Sequence, residues 1–143
     1  MKRLLLAIVA GFIVTAVLSI ATDHLFHVTG VYPPYGEPMF ATGLLTLALS
    51  YRVIFTLIGS YITAMIAKEN AMKAVTILGI IGSILWLAGA IAMWEYGPAW
   101  YSLGGAFTGI PLTLVGGKLY ELRVKKVNPK ATPRIKPKQK SKR

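Results

Sequence analysis

The chain has 143 residues, the size of one domain, and carries sixteen Lys and Arg against five Asp and Glu, a formal net charge of +11. Apolar residues make up 55% and charged residues 15%, against roughly 25% charged in a soluble domain. A water-soluble globule of this composition would leave large apolar patches in water. A mean hydropathy of +0.58 excludes disorder for most of the chain, and the absence of Cys excludes a disulfide framework, a thiolate metal site and a Cys nucleophile. What remains is an all-α integral membrane protein with a basic end.

In chain order, Lys2 and Arg3 precede a charge-free apolar run from Leu4 to Ala21, and the second run, Phe40 to Ala67, is broken only by Arg52. The third and fourth runs are Ala74 to Trp94 and Gly97 to Gly117. A helix needs about 20 residues to cross a hydrocarbon core, so the expected spans are 4–22, 42–67, 74–94 and 98–118. Splitting the second run at Arg52 would leave two pieces too short to cross. No run alternates with period two, so strands of a membrane barrel are not expected.

Of the sixteen basic residues, fifteen flank one set of span ends: Lys2 and Arg3, Lys68 and Lys73, and Lys118 onward. The loops at the other ends hold Asp23, Glu37, Glu95 and both His. The positive-inside rule then puts both termini in the cytoplasm, giving a four-transmembrane-helix bundle over 1–122 in a cell (plasma or inner) membrane and a basic, disordered cytoplasmic tail over 123–143. The alternative is that Lys2-Arg3, the apolar core and Ser19-Ile20-Ala21 form a cleaved signal peptide, which leaves three spans. The apolar core is longer than such signals usually carry, so an uncleaved first helix is preferred.

Small residues recur at steps of three and four on every span, where backbones can approach closely. Gly11, Gly59, Gly82, Gly105 and Gly109 are the expected helix-packing positions. The preferred reading is packing within one bundle; a dimer face on the fourth helix, where Gly105 and Gly109 form a GxxxG, is the alternative. Pro111 removes a backbone donor and predicts a kink over 107–111.

Arg52 is the most informative residue, because a charge within a span needs a polar partner. At 1.5 Å per residue it lies about 24 Å above Lys68, while Asp23 lies about 30 Å above Arg3. An Arg side chain covers a 6 Å offset of this order, so an Asp23–Arg52 pair is expected in the outer leaflet. His24 and His27 extend this cluster if the first helix continues, since Asp23 and His27 are then i and i+4 on one face. Such a set admits metal ligation or proton relay, but no metal-site spacing is present. No catalytic residue, cofactor or metal is assigned. The stiff loop Gly30 to Pro38 holds Tyr32, Tyr35 and Glu37, which read as a lid or outer loop. Trp94, Tyr96, Trp100 and Tyr101 read as an interfacial belt, and Trp86 as deeper packing.

The tail is rich in Lys, Arg and Pro and has no acid. It is expected to bind anionic lipid headgroups; it lacks the aromatic residues for base stacking, and a nucleic-acid partner is not expected. Small multidrug exporters are similar to this chain in length and span count. They rely on a membrane-embedded Glu in the first helix, and residues 4–22 here contain no acid, so their transport mechanism does not carry over. The function expected first is a non-catalytic accessory or partner-binding membrane protein, whose partner is a membrane protein or a second copy. A small proton-coupled transporter acting as a dimer comes next, and a membrane enzyme last.

Overall fold

The computed structural model describes residues 1–128, and these are all-helical. Four helices are present: α1 (Lys2–Val28), α2 (Thr42–Ala67), α3 (Ala71–Ala92) and α4 (Ala99–Val127). Short 3-10 turns at Lys68–Asn70 and Trp94–Tyr96 precede α3 and α4. Among the described residues, two helical stretches, Lys2–Val28 and Thr42–Ala92, are long and apolar enough to cross a membrane. The second contains a reversal at Lys68, whose φ is 53°. Helix α4 is less apolar because Trp100, Tyr101, Ser102, Pro111 and several Gly dilute it.

The breaks follow from local chemistry. Helix α1 runs past the boundary expected at residue 22 because Leu25 and Phe26 continue the helix, and it stops where Gly30 takes φ +74° and Pro33 and Pro34 follow. Pro98 stands at the N-cap of α4, where a missing N–H costs nothing. Helix α4 stays helical through Pro111 and continues to Val127, so residues 123–127 are not disordered as expected. Arg123 donates from Nη1 to the Tyr61 hydroxyl at 2.9 Å, Lys118 pairs with Glu121 at 3.2 Å, and Lys125 and Lys126 face the negative end of the helix dipole. The rest of the tail, 129–143, lies outside the described residues.

Small residues make up most of the interior, around Leu45, Tyr51, Val75 and Leu78. Ala7, Ala48, Ala64, Ala67, Ala71, Ala74, Ser60, Thr63 and Thr113 are buried, while Leu5, Ile20, Ile54, Ile84, Phe107 and Leu122 are exposed. Helices α1 and α2 cross antiparallel with reciprocal fit: a Cβ on Gly11 would strike Thr63, and one on Gly59 would strike Thr15. The backbone carbonyls would be struck too: a Cβ on Gly11 would lie 2.6 Å from the Gly59 carbonyl oxygen, and one on Gly59 2.7 Å from that of Gly11. Gly116 of α4 fits against Ser60 of α2 in the same way. Gly79 and Gly109 take Thr113 and Ser83 across the α3–α4 contact. The hydroxyls in these contacts remain satisfied: Thr63 donates to the Gly59 carbonyl at 2.9 Å, and Thr15 to the Gly11 carbonyl at 3.0 Å.

The bundle thus has two ends. At the basic end, near Met1 and Lys68, α1 meets α3 through Ala7, Ile8, Ala74 and Leu78, and Arg3 donates from Nε to the Ile66 carbonyl at the end of α2, 2.7 Å away. At the loop end, around Asp23, the contacts are aromatic and polar.

Candidate functional site

The loop end gathers its polar side chains from three helices and one loop. Asp23 is on the last turns of α1, Tyr51 and Arg52 are on α2, and Trp86 is on α3. The carbonyl of Phe26 accepts both Val31 N–H (2.9 Å) and Tyr32 N–H (3.0 Å), which folds the loop back over the end of α1. That turn carries Tyr32 inward, where it is buried among Phe26, Tyr51 and Tyr101.

Arg52 forms an ion pair with Asp23 through Nη2 and Oδ2. Tyr51 donates its hydroxyl to the other oxygen, Oδ1, and Tyr32 donates to the Tyr51 hydroxyl at 3.2 Å. Both oxygens of the carboxylate are therefore met by donors. Burial pushes the Tyr32 phenol above its ordinary value and the negative Asp23 adds to this, against the opposing hydrogen bond to Tyr51. Tyr32 consequently remains protonated and stays a donor at the head of this chain. The Arg52 guanidinium lies 5.2 Å from the centre of the Trp86 ring, within cation–π range. The indole N–H of Trp86 donates to the Ser102 carbonyl at 2.8 Å, and Gly105 provides the space for the ring. Among the described residues, Arg52 Nε is the one buried side-chain polar atom with no hydrogen-bond partner.

The two His do not join the carboxylate. His27 approaches Asp23 through the backbone: its Nδ1 lies 2.7 Å from the Asp23 carbonyl. A carbonyl only accepts, so Nδ1 carries the hydrogen. Tyr35 stacks on His27 with ring centres 4.0 Å apart and planes 4° apart, and its hydroxyl is 3.0 Å from His24 Nδ1. The four residues read as one cluster thus form two: Asp23–Arg52 with Tyr51 and Tyr32 inside, and His24–His27 with Tyr35 outside. His27 stands one turn after Asp23, but the helix presents the Asp23 carboxylate to α2. Among the described residues no three His, Asp or Glu side chains gather in a group that could hold a metal ion. Glu37 is exposed at the loop.

Two cavities meet at the ion pair. One, of about 350 Å³, lies within the bundle below Asp23 and Arg52 and is lined by Ser19, Thr56, Gly82 and Thr108 among others. The other, of about 620 Å³, lies under the Tyr32–Met39 loop and is lined by Tyr32, Tyr35, Glu37, Tyr96 and Tyr101. Both are walled by Asp23, Arg52 and Trp86. Of the expected packing glycines, Gly11, Gly59, Gly105 and Gly109 sit in helix contacts within the chain, whereas Gly82 faces the inner cavity with nothing within 4 Å of an added Cβ.

Sequence reasoning passed over Tyr51, Trp86 and Tyr32 as partners of the pair. Tyr51 carried a signal, a phenol inside an apolar run next to Arg52, but neighbours in sequence point apart on a helix. Trp86, expected to be packing, both packs and takes the guanidinium on its face. Compared with protein-family models, curated proteins and solved structures, the chain matches none.

Proposed function

We propose that the chain is a four-span membrane protein with both termini on the cytoplasmic side and that it acts as a non-catalytic accessory or binding protein. Four spans are supported by the exterior: large apolar side chains are exposed on all four helices, including Leu103, Phe107, Val115 and Leu119 on α4, while small Ala, Gly, Ser and Thr residues make most of the helix contacts around a few larger side chains such as Leu45, Val75 and Leu78. That is the distribution of a chain surrounded by hydrocarbon and packed through small residues. The charge asymmetry supports the orientation, with the loop end outside. Cleavage after Ala21 would strip Gly11 and Thr15 from α2, so the uncleaved α1 is the proposal.

The observation that carries the non-catalytic reading is that the intramembrane charges neutralise each other. Asp23 is held by Arg52 and Tyr51, and the hydroxyls of Thr15, Thr108 and Thr113 that line the inner cavity donate to carbonyls of their own helices. No acid or base there stands free to act on a substrate. The second reading, a dimeric proton-coupled carrier, is favoured by one observation, the meeting of two cavities at the ion pair.

Two experiments test these readings. The Cys-free chain gives no labelling background, so Glu37→Cys and Glu95→Cys should react with a membrane-impermeant maleimide from outside, and Lys73→Cys and Lys125→Cys only after permeabilisation. The reverse pattern overturns the orientation. Purified protein in liposomes should show no pH-driven flux; flux that Arg52→Gln abolishes would overturn the accessory reading in favour of the carrier.

A further inference from the structure

The inner cavity is half-open, and its opening can be located. Among its walls, Ile20 of α1, Leu85 of α3 and Thr108 of α4 are exposed, so it gives onto the side of the bundle where α1 faces α3 and α4. Its walls are mostly apolar, and its charged members are Asp23 and Arg52, at its top. Its volume of about 350 Å³ falls within the usual range of small-molecule sites.

Helix α1 is continuous from Lys2 to Val28, so Asp23 stands about 30 Å above Arg3, the thickness of a hydrocarbon core. The ion pair is therefore level with the headgroups of the outer leaflet, and the cavity beneath it is level with the acyl chains. The Asp23 and Arg52 side chains are each 26% exposed. Arg52 engages Asp23 through Nη2, with Tyr101 beside the same guanidinium, and the guanidinium borders the inner cavity, where a phosphate would meet it. The outer loops contain no Lys or Arg, so Arg52 is the one fixed positive charge at this end. A purely anionic head would meet Asp23, and a purely cationic head would meet Arg52. A head with both charges matches the fixed dipole of the pair.

We infer that this cavity is a lipid site, taking one acyl chain of an outer-leaflet phospholipid whose zwitterionic head sets its phosphate on Arg52 and its ammonium beside Asp23. The inference deepens the proposed binding function and rests on the membrane placement given above. Trp86 is the reporter, because its ring touches both the pair and the cavity.

The test uses the full chain with Trp94→Phe and Trp100→Phe, which leaves Trp86 as the single indole. Membranes are first washed at alkaline pH, and flotation with the vesicles checks the membrane placement separately. The detergent-purified protein is then titrated with chain-brominated phosphatidylethanolamine, phosphatidylglycerol or diacylglycerol. Phosphatidylethanolamine should quench Trp86 to saturation at about tenfold lower concentration than the other two. Gly82→Leu fills the cavity from a position with open space around it and should abolish saturable quenching while thermal unfolding shows the chain still folded. Equal, non-saturating quenching by all three lipids overturns the site, as does quenching unchanged by Gly82→Leu. A preference for phosphatidylglycerol overturns the zwitterionic head. Failure to float overturns the membrane placement and the lipid site with it.

Discussion

The two ends of the bundle are built on opposite plans. Towards the basic end, backbones touch through Gly11 and Gly59, Gly116 and Ser60, and Ala64, Ala71 and Val75. At the loop end, rings and charges fill the contacts: Tyr51, Arg52 and Trp86 stand beside Ala48 and Gly105, and two cavities flank them. On the membrane placement proposed above, the contrast separates side chains that let helices associate in lipid from side chains that border open space. Without a hydrophobic drive between helices in hydrocarbon, close van der Waals fit does the first task. A partly buried ion pair costs desolvation and adds little net stability, and this one stands beside open space, which is the basis of the binding function proposed above.

The contrast can be broken most severely in the tight half. Gly59→Val should cost about 3 kcal/mol or more, because its Cβ alone strikes Thr15. Thermal unfolding in detergent reads this, and a change below 1 kcal/mol would mean that the crossing is loose. At the loop end, Asp23→Asn and Arg52→Gln should each cost roughly 2–4 kcal/mol by stranding a partly buried charge. The double variant should regain much of that loss, and additive losses in the double-mutant cycle would show two independent roles. Tyr51→Phe removes one donor to the carboxylate and should cost about 1.5 kcal/mol, less than either charge change. At the small end of the scale, Gly104→Ala should be neutral or gain about 0.5 kcal/mol through helix propensity, since nothing lies within 4 Å of the added Cβ. A loss there would reveal a packing partner outside this chain.

The legible part of the site was the part with a height. Counting 1.5 Å per residue from Arg3 and Lys68 puts Asp23 and Arg52 about 6 Å apart in height, within reach of an Arg side chain, and the structure joins them. What escaped depended on rotation or on a loop. The direction in which α1 turns Asp23, and hence the separation of the His pair from the carboxylate, is set by the Gly11–Gly59 crossing, which lies turns away. Tyr32 reaches the pair because one carbonyl, Phe26, takes two loop amides, a detail that no period in the sequence encodes. The glycine stripes were legible as contact surfaces but not by partner: Gly105 admits a Trp ring, while Gly82, one helix away, admits nothing. The extension of α4 to Val127 was hidden by composition, because a Lys-rich stretch reads as solvated tail until Tyr61 is seen to hold Arg123.

One bond at the loop end has a mechanical consequence. The Met39 N–H donates to the Tyr96 carbonyl at 2.8 Å, fastening the α1–α2 connection to the α3–α4 connection. The two helical hairpins are thereby latched along one rim, while Gly116 against Ser60 acts as a spine lower down. On the side that carries Ile20, α1 is tied to α2 at both levels, by the Gly11–Gly59 crossing below and the Asp23–Arg52 pair above, so these two helices border the side mouth as one unit.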